Sequence, residues 1–202
     1  MKNKIVCLFL SILVASCASY NAAPLAVSGK LLEESLYQSE GQVKVLAKKL
    51  NKKECLKYFD RDLLKKGYIP VQLYIQNNTP SSYFFSLDRI HLSLVQPEEV
   101  ADKAHTSTLG RVIGYTAAAI VFFPLALPLA ISAAVDGVKS SEANQSLDQD
   151  FAMKSASDQF IGKYSFMNKV VFVPKSEFLE HFSMTLIDQD TKEPIQIEVS
   201  VL

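Results

Sequence analysis

The chain has 202 residues, of which 21 are basic and 21 acidic, so its formal net charge is zero. A balanced charge argues against nucleic acid as a partner, because binding to phosphates needs a basic surface, and it argues equally against a polybasic membrane patch. The length is sufficient for one domain with a substantial hydrophobic core.

The first residues have the features of a bacterial secretion signal. Lys2 and Lys4 precede an apolar run, Ile5–Leu13, that is too short to span a bilayer. Small residues then lead to Cys17, and this pattern resembles the lipobox of bacterial lipoproteins. The resemblance implies a signal peptide of residues 1–16 and acylation of Cys17, for example with palmitate. An ordinary signal peptide followed by a chance cysteine is the alternative.

Residues 17–41 are predicted to be a lipidated tether, because small, polar and helix-breaking residues are frequent in them. Cys7 would leave with the signal peptide and Cys17 would be acylated. Cys55 then remains alone, so no internal disulfide is expected. Because no histidine lies near Cys55 in the sequence, we expect a partly buried small residue there rather than a nucleophile.

Beyond residue 42, apolar and polar residues alternate with the period of two that is typical of half-buried strands. This alternation occurs at Val43–Ala47, Val71–Ile75, Ile90–Leu94, Phe182–Leu186 and Ile195–Val201. Val170–Val173 is continuously apolar, which indicates a strand covered on both faces, and Tyr83–Leu87 is a further candidate. About seven strands with few helices between them predict an immunoglobulin-like antiparallel β-sandwich over residues 42–202.

The phase of the alternation also predicts which side chains face the core. Gln72 and Glu198 are expected on the solvent-exposed faces of their strands. The predicted core residues are Val71, Leu73, Ile75, Leu186, Ile197 and Val199.

Residues 97–155 break the β pattern and are predicted to form a helical apolar insertion. Pro97, followed by two carboxylates, predicts a helix over residues 97–108, and a later helix is expected to end near Ser155. Between them, residues 112–135 carry no charge. A single helix of that length would cross a bilayer, but two prolines near its middle cost about 3 kcal/mol each in an unbroken helix.

Small residues recur every four positions on both sides of Phe122 in this insertion. They are Gly110, Gly114 and Ala118 before it, and Ala126, Ala130 and Ala134 after it. In an antiparallel helical hairpin the two series would face each other and allow close packing. The alternative is one continuous helix that oligomerises in a membrane through residues 110–135.

The sequence contains no recognisable catalytic constellation. His91, His105 and His181 are dispersed without companions at metal-ligand spacing. Glycine-rich phosphate loops, serine elbows and zinc signatures are absent from the sequence. We therefore expect no enzymatic activity, no metal and no cofactor.

Several segments resemble uncharacterised bacterial lipoproteins, chlamydial lipoproteins among them. The similar residues are Tyr58–Leu64, Gly67–Leu73, Ile75–Asn78, Asp136–Asn144, Asp150, Lys154 and Phe172–Pro174. The resemblance implies a sandwich domain with an apolar insertion, and it carries over no known site residues.

These observations predict a lipoprotein with a structural or partner-binding role in the bacterial cell envelope. Ala18 in place of an aspartate after Cys17 favours, by family analogy, an anchor in the outer membrane, on its periplasmic or surface face. Expected partners are membrane lipid, through acylated Cys17, and a protein or a second copy of the chain, through the insertion. The alternative is a membrane-inserting protein that oligomerises through residues 110–135.

Overall fold

The computed structural model describes residues 19–27, 42–105 and 141–202. The chain divides into two compact units, one of residues 1–21 and 105–149, the other of residues 22–104 and 150–202. The second unit contains the β domain. The predicted signal peptide and the predicted apolar hairpin lie outside the described residues.

The described residues of the second unit form two antiparallel sheets. Their strands are β1 (Val43–Lys49), β2 (Tyr68–Asn77), β3 (Tyr83–Phe85), β4 (Gln159–Ile161), β5 (Phe166–Pro174), β6 (His181–Asp188) and β7 (Pro194–Ser200). One sheet has the order β1-β2-β5 and the other has the order β4-β3-β6-β7. The prediction of a mainly antiparallel β protein is therefore confirmed.

Inward-facing residues of both sheets form a common hydrophobic core. It arises because alternate side chains of a strand point to the same face. Five of the six residues predicted for the core are buried, namely Val71, Leu73, Ile75, Leu186 and Val199. Ile197 is partly buried and packs against this core.

The C-terminal end of the chain joins the two sheets along one edge. Val201 forms a parallel bridge with Ala47 of β1. The backbone N–H of Leu202 donates to the carbonyl of Ala47 at 2.9 Å, and the N–H of Lys49 donates to the carbonyl of Leu202 at 3.3 Å. These bonds use backbone groups that would otherwise be unpaired at a sheet edge.

Helices occupy the connections. They are α1 (Lys52–Phe59), between β1 and β2, α2 (Pro97–Ala104), and α3, the helical residues 141–154. α2 starts at the predicted Pro97 and ends at Ala104 rather than at residue 108. α1 was not predicted, although Asn51 and Glu54 form a capping box at its start.

The outer face of the three-stranded sheet is covered by an aromatic cluster. Phe59 of α1, Phe151 of α3 and Phe172 of β5 are buried, and their ring centroids lie 4.8 to 5.7 Å apart. Val171 and Val173, the neighbours of Phe172, belong to the core between the sheets. The continuous apolar run in this strand is therefore covered on both faces, as predicted.

Residues 22–27, here called the strap, lie against the same outer face. The backbone N–H of Ala23 donates to the carbonyl of Lys57 at 2.8 Å. The side-chain amide of Gln72 donates to the carbonyl of Ala26 at 2.9 Å. Part of the predicted tether is therefore bound to the β domain through main-chain and side-chain hydrogen bonds.

The strap corrects one prediction made from the alternation. Gln72 was expected on a solvent-exposed face, but its side chain is fully buried. Its amide also donates to Oδ1 of Asn168 at 2.7 Å. The prediction was wrong because the alternation identifies the two faces of β2 but not whether another segment covers the second one.

Two other segments of the β domain also differ from the predicted strands. The strand expected at Ile90–Leu94 is absent, and single bridges join Ile90 to Met184 and Val95 to Phe172 instead. A 3₁₀ turn at Leu87–Arg89 precedes this segment and interrupts the extended backbone after β3. The short strand β4, which was not predicted, lies beside β3 at the sheet edge.

Candidate functional site

The site residues predicted from the sequence all lie outside the described residues. They are the lipidation residue Cys17 and the small residues Gly110, Gly114, Ala118, Ala126, Ala130 and Ala134. Their roles stay predictions. Four other features of the described residues carry polar chemistry or exposed apolar surface: the edge of β5, a buried thiol, exposed histidines and the outer face of the four-stranded sheet.

Both flanks of the predicted insertion pair with the free edge of β5. Val95, just before α2, forms an antiparallel bridge with Phe172, and its N–H donates to the carbonyl of Phe172 at 2.9 Å. Ser155, just after α3, forms a parallel bridge with Val170. The residues just before and just after the predicted insertion therefore contact β5 at Phe172 and Val170, which are two positions apart.

A cavity of about 470 Å³ lies at this edge. Its walls come from residues 87–97, 155–158 and 170–172 and are mainly apolar. The volume is within the range of small-molecule sites, about 300–1,000 Å³. Asp88, Gln96, Ser155 and Asp158 supply its polar side chains.

Asp158 connects two walls of this cavity through hydrogen bonds. Its Oδ2 accepts a hydrogen bond from the Ser86 hydroxyl at 2.6 Å, and its Oδ1 accepts one from the Leu87 N–H at 2.8 Å. These two hydrogen bonds hold the pKa of the Asp158 carboxyl below its usual value, and the bond from Ser86 has the larger effect. A carboxylate that stays ionised and is already engaged is poorly suited to proton transfer at neutral pH.

Cys55 is a buried structural thiol. Its side chain has no exposed surface, and its Sγ lies 3.8 Å from the carbonyl of Leu50. Burial, with a smaller contribution from the charge of Asp62, raises the pKa of this thiol to about 11. Because the thiolate is the reactive form, this raised pKa argues against a nucleophilic role for Cys55 at neutral pH. The residue is fully buried, where the sequence predicted partial burial.

Two histidines contact serines at the surface of the four-stranded sheet. Nδ1 of His91 lies 2.6 Å from Oγ of Ser183, and Nδ1 of His181 lies 3.0 Å from Oγ of Ser200. Both histidines are exposed. A serine next to a histidine is one part of a hydrolase site, and both pairs here lie on a face of the sheet that is open to water.

The outer face of the four-stranded sheet carries an apolar row across all four strands. Phe160 of β4 pairs with Phe84 of β3, Phe84 pairs with Ile187 of β6, and Ile187 pairs with Pro194 of β7. The rings of Phe84 and Phe160 have centroids 5.2 Å apart, and Phe160 is 67% exposed. These four residues are called the apolar row below.

The apolar row was missed from the sequence, although one signal was present. Phe84 lies between Tyr83 and Phe85, whose side chains are buried in the core, so it occupies an outward position that is usually polar. A large apolar residue at an outward strand position indicates a second contact surface. Its partner Phe160 belongs to a strand of only three residues, which is too short to show alternation.

Neither a metal centre nor a membrane span is present in the described part of the chain. Within residues 19–27, 42–105 and 141–202, no group of three or more histidine, cysteine or acidic side chains is placed to hold a metal ion. Among the same residues, no helix has the length and apolar character needed to cross a bilayer. Comparisons of the chain with protein-family models, curated proteins and solved structures give no match.

Proposed function

We propose that the chain is a membrane-anchored bacterial lipoprotein whose β domain binds a protein partner in the cell envelope, without enzymatic activity. The anchor follows from the lipobox-like sequence before Cys17. The observation that carries the partner-binding role is the apolar row on the outer face of the four-stranded sheet. The outer membrane, on its periplasmic or surface side, is the proposed location.

The apolar row has the properties of a protein contact surface. Two adjacent aromatic rings, Phe84 and Phe160, belong to the row, and aromatic residues supply much of the binding energy at protein interfaces. The same face continues into polar residues, including Ser183, Thr185 and Gln196. An apolar centre with a polar border is the usual composition of such surfaces.

The strand order supports an immunoglobulin-like sandwich as the scaffold of this surface. In the constant-type arrangement the first, second, fifth and fourth strands form one sheet and the third, sixth and seventh form the other. Here the orders β1-β2-β5 and β4-β3-β6-β7 differ from it only in the sheet that β4 joins.

The anchor is tested by replacing Cys17 with serine in cells grown with labelled palmitate. We expect Cys17→Ser to abolish labelling and to block cleavage by the lipoprotein-specific peptidase, because the thiol is the acyl acceptor. Cys55→Ser is the matched control and should leave labelling unchanged, since Cys55 is buried. Labelling that persists without Cys17 would show that the lipobox interpretation is wrong.

The partner-binding role is tested by photo-crosslinking in intact cells that produce the acylated chain. A photoreactive phenylalanine analogue at Phe160 should give a discrete heterologous adduct, because this side chain is at the exposed end of the apolar row. The same analogue at Gln196, on the polar part of the same face, is the control. Adduct formation that survives Phe84→Glu, or is equal at both positions, would contradict the proposal.

A second candidate function is a membrane-inserting protein that acts through an apolar helical hairpin of residues 110–135. The position of the flanks favours it over a single spanning helix, because Val95 and Ser155 pair with the same strand, at Phe172 and Val170. An insertion whose ends are this close has to reverse its direction. The hairpin would then either pack on a partner or oligomerise in a bilayer.

A further inference from the structure

The exposed face of α1 is basic. Lys52 and Lys53 lie one helical turn before Leu56 and Lys57, so these four side chains share one face of the helix. All four are exposed, and 44% of the surface of Leu56 is accessible. The opposite face is buried in the domain and consists of Cys55, Tyr58 and Phe59.

The segment that contains α1 has a surplus of positive charge that the chain as a whole does not have. Residues 48–62 contain six basic and three acidic residues, whereas the full chain is neutral. Each of the three acidic residues forms an ion pair with a basic residue of the same segment. The surplus positive charge therefore falls on Lys53 and Lys57 of the α1 face and on Lys49 at the end of β1.

The strap holds this basic face close to the proposed lipid anchor. The N–H of Ala23 donates to the carbonyl of Lys57, a residue of the basic face. Cys17 precedes Ala23 by six residues. A fully extended segment of six residues reaches at most about 20 Å, so acyl chains on Cys17 would keep α1 within that distance of the bilayer.

We propose that the exposed face of α1 lies on the anionic surface of the membrane that holds acylated Cys17. The inference rests on the proposed lipidation. Lysines at this surface are attracted by acidic lipid headgroups, and Leu56 among them enters the interfacial region as an apolar contact. One acylated cysteine and one basic face then fix both the position and the orientation of the domain.

This orientation directs the apolar row away from the membrane. α1 packs on the outer face of the three-stranded sheet through Phe59 and Phe172. The apolar row is on the outer face of the other sheet, across the common core. The surface proposed to bind a partner is thus presented to the aqueous compartment, opposite the lipid-facing surface.

The test is the depth of a nitroxide spin label on the acylated full-length protein in vesicles of phosphatidylethanolamine and phosphatidylglycerol. Leu56→Cys carries the label in one sample, and Phe160→Cys carries it in the matched control. Cys55 does not compete for the reagent because it is buried. We expect the label at 56 to gain contact with oxygen and to lose contact with an aqueous nickel chelate, while the label at 160 stays in water.

Charge variants show whether the lysines cause this placement. Each lysine near an anionic surface contributes about fivefold to binding, so Lys53→Glu with Lys57→Glu should return the label at 56 to water. Lys163→Glu with Lys192→Glu, two exposed lysines outside α1, should leave it in place. Neutral phosphatidylcholine vesicles should give the same loss as the first pair of substitutions.

Failure of this inference is distinguishable from failure of the proposed lipidation. The mass of the mature N-terminus first establishes whether Cys17 is acylated. If it is acylated and the label at 56 is as water-exposed as the label at 160, the inference is overturned and the anchor stands. If Cys17 carries no lipid, the proposed function fails, and the label at 56 on anionic vesicles still decides whether α1 binds them.

Discussion

Gln72 connects three segments of the chain through one buried amide. Its nitrogen donates to the strap carbonyl of Ala26 and to Asn168 of β5, while its own oxygen has no hydrogen-bond partner within the described structure. A buried amide that is only partly satisfied stabilises the fold less than a fully paired one. Its effect is therefore to attach the strap to the sheet at a specific position.

We expect Gln72→Ala to lower the free energy of unfolding by about 1–3 kcal/mol, because it leaves the Asn168 side chain and a strap carbonyl without their donor. Urea denaturation followed by circular dichroism measures this change. Gln196→Ala, an exposed glutamine on β7, is the control and should change stability by less than about 0.5 kcal/mol. Equal effects of the two substitutions would show that the strap contacts are not formed.

Asp158 gives a stability contribution that depends on pH. Hydrogen bonds from Ser86 and Leu87 lower the pKa of its carboxyl in the folded chain. A group with a depressed folded pKa stabilises the fold above its unfolded pKa, and this contribution is lost as the pH falls through the folded value. The exposed position of Asp158 reduces the effect through solvent screening.

We expect Asp158→Asn to cost about 1 kcal/mol at pH 7, where the wild-type carboxylate is ionised. The difference between wild type and variant should shrink as the pH falls below about 4, the unfolded value for aspartate. Chemical denaturation of both chains at pH 7 and at pH 3 measures the difference. A difference that stays constant over this range would contradict the assigned role of the Asp158 hydrogen bonds.

At the scale of elements, alternation predicts strands well where every second residue is large and apolar. It located β1, β2, β6 and β7, whose inward residues belong to the core or pack against it, whereas β5 was predicted from its continuous apolar run. It failed at Ile90–Leu94, where the apolar residues pack on the core and the backbone forms a single bridge, from Ile90 to Met184, instead of a strand. A period of two reports which side chains are buried, and it does not report whether the backbone has a partner strand.

α1 was overlooked for a different reason. The capping box of Asn51 and Glu54 was readable in the sequence, but eight residues with four charged side chains show little apolar periodicity. The neutral net charge of the chain also argued against a basic membrane patch. An average over 202 residues conceals the local surplus of lysine between residues 48 and 62.

The capping box predicts how α1 responds to substitution. The side chain of Asn51 accepts hydrogen bonds from the N–H groups of Lys53 and Glu54 at 2.9 and 3.1 Å. We expect Asn51→Ala to destabilise the chain by about 1 kcal/mol, because both donors lose their acceptor. Thermal unfolding measures the loss, and hydrogen exchange should increase first within α1.

Lys53→Ala is the control for this substitution, since it alters the same helical turn without removing the cap. It should change the melting temperature little, because exposed helix positions tolerate alanine. If Lys53→Ala is as destabilising as Asn51→Ala, the cap does not account for the start of α1.

At the scale of the whole molecule, the sequence and the structure identify different parts of the candidate site. The lipidation of Cys17 stays a prediction, and it could be made because a lipobox is local in sequence. The apolar row was not predicted, because Phe84 and Phe160 are 76 positions apart and meet only through the pairing of β3 with β4. Contacts that depend on strand register across a long insertion have no local signature.

The insertion itself is the largest apolar feature of the sequence, and the structure constrains only its ends. Val95 and Ser155 pair with residues of β5 that are two positions apart. The predicted hairpin, in which Gly114 and Ala130 would face each other around Phe122 and Pro124, lies outside the described residues and stays a prediction. Flanks that lie this close together are what such a hairpin requires.

This hairpin predicts an efficient intramolecular disulfide between cysteines placed at positions 114 and 130. Cys55 can remain in the chain during the experiment, because its burial and its pKa of about 11 keep it unreactive at neutral pH. The protein is oxidised in membranes, and non-reducing electrophoresis then separates a cross-linked monomer from a cross-linked dimer.

A cysteine pair at positions 114 and 121 is the control, since these two positions lie in the same proposed arm and are too far apart along a helix for a disulfide. Cross-links formed only between chains would favour a continuous membrane helix that associates through residues 110–135.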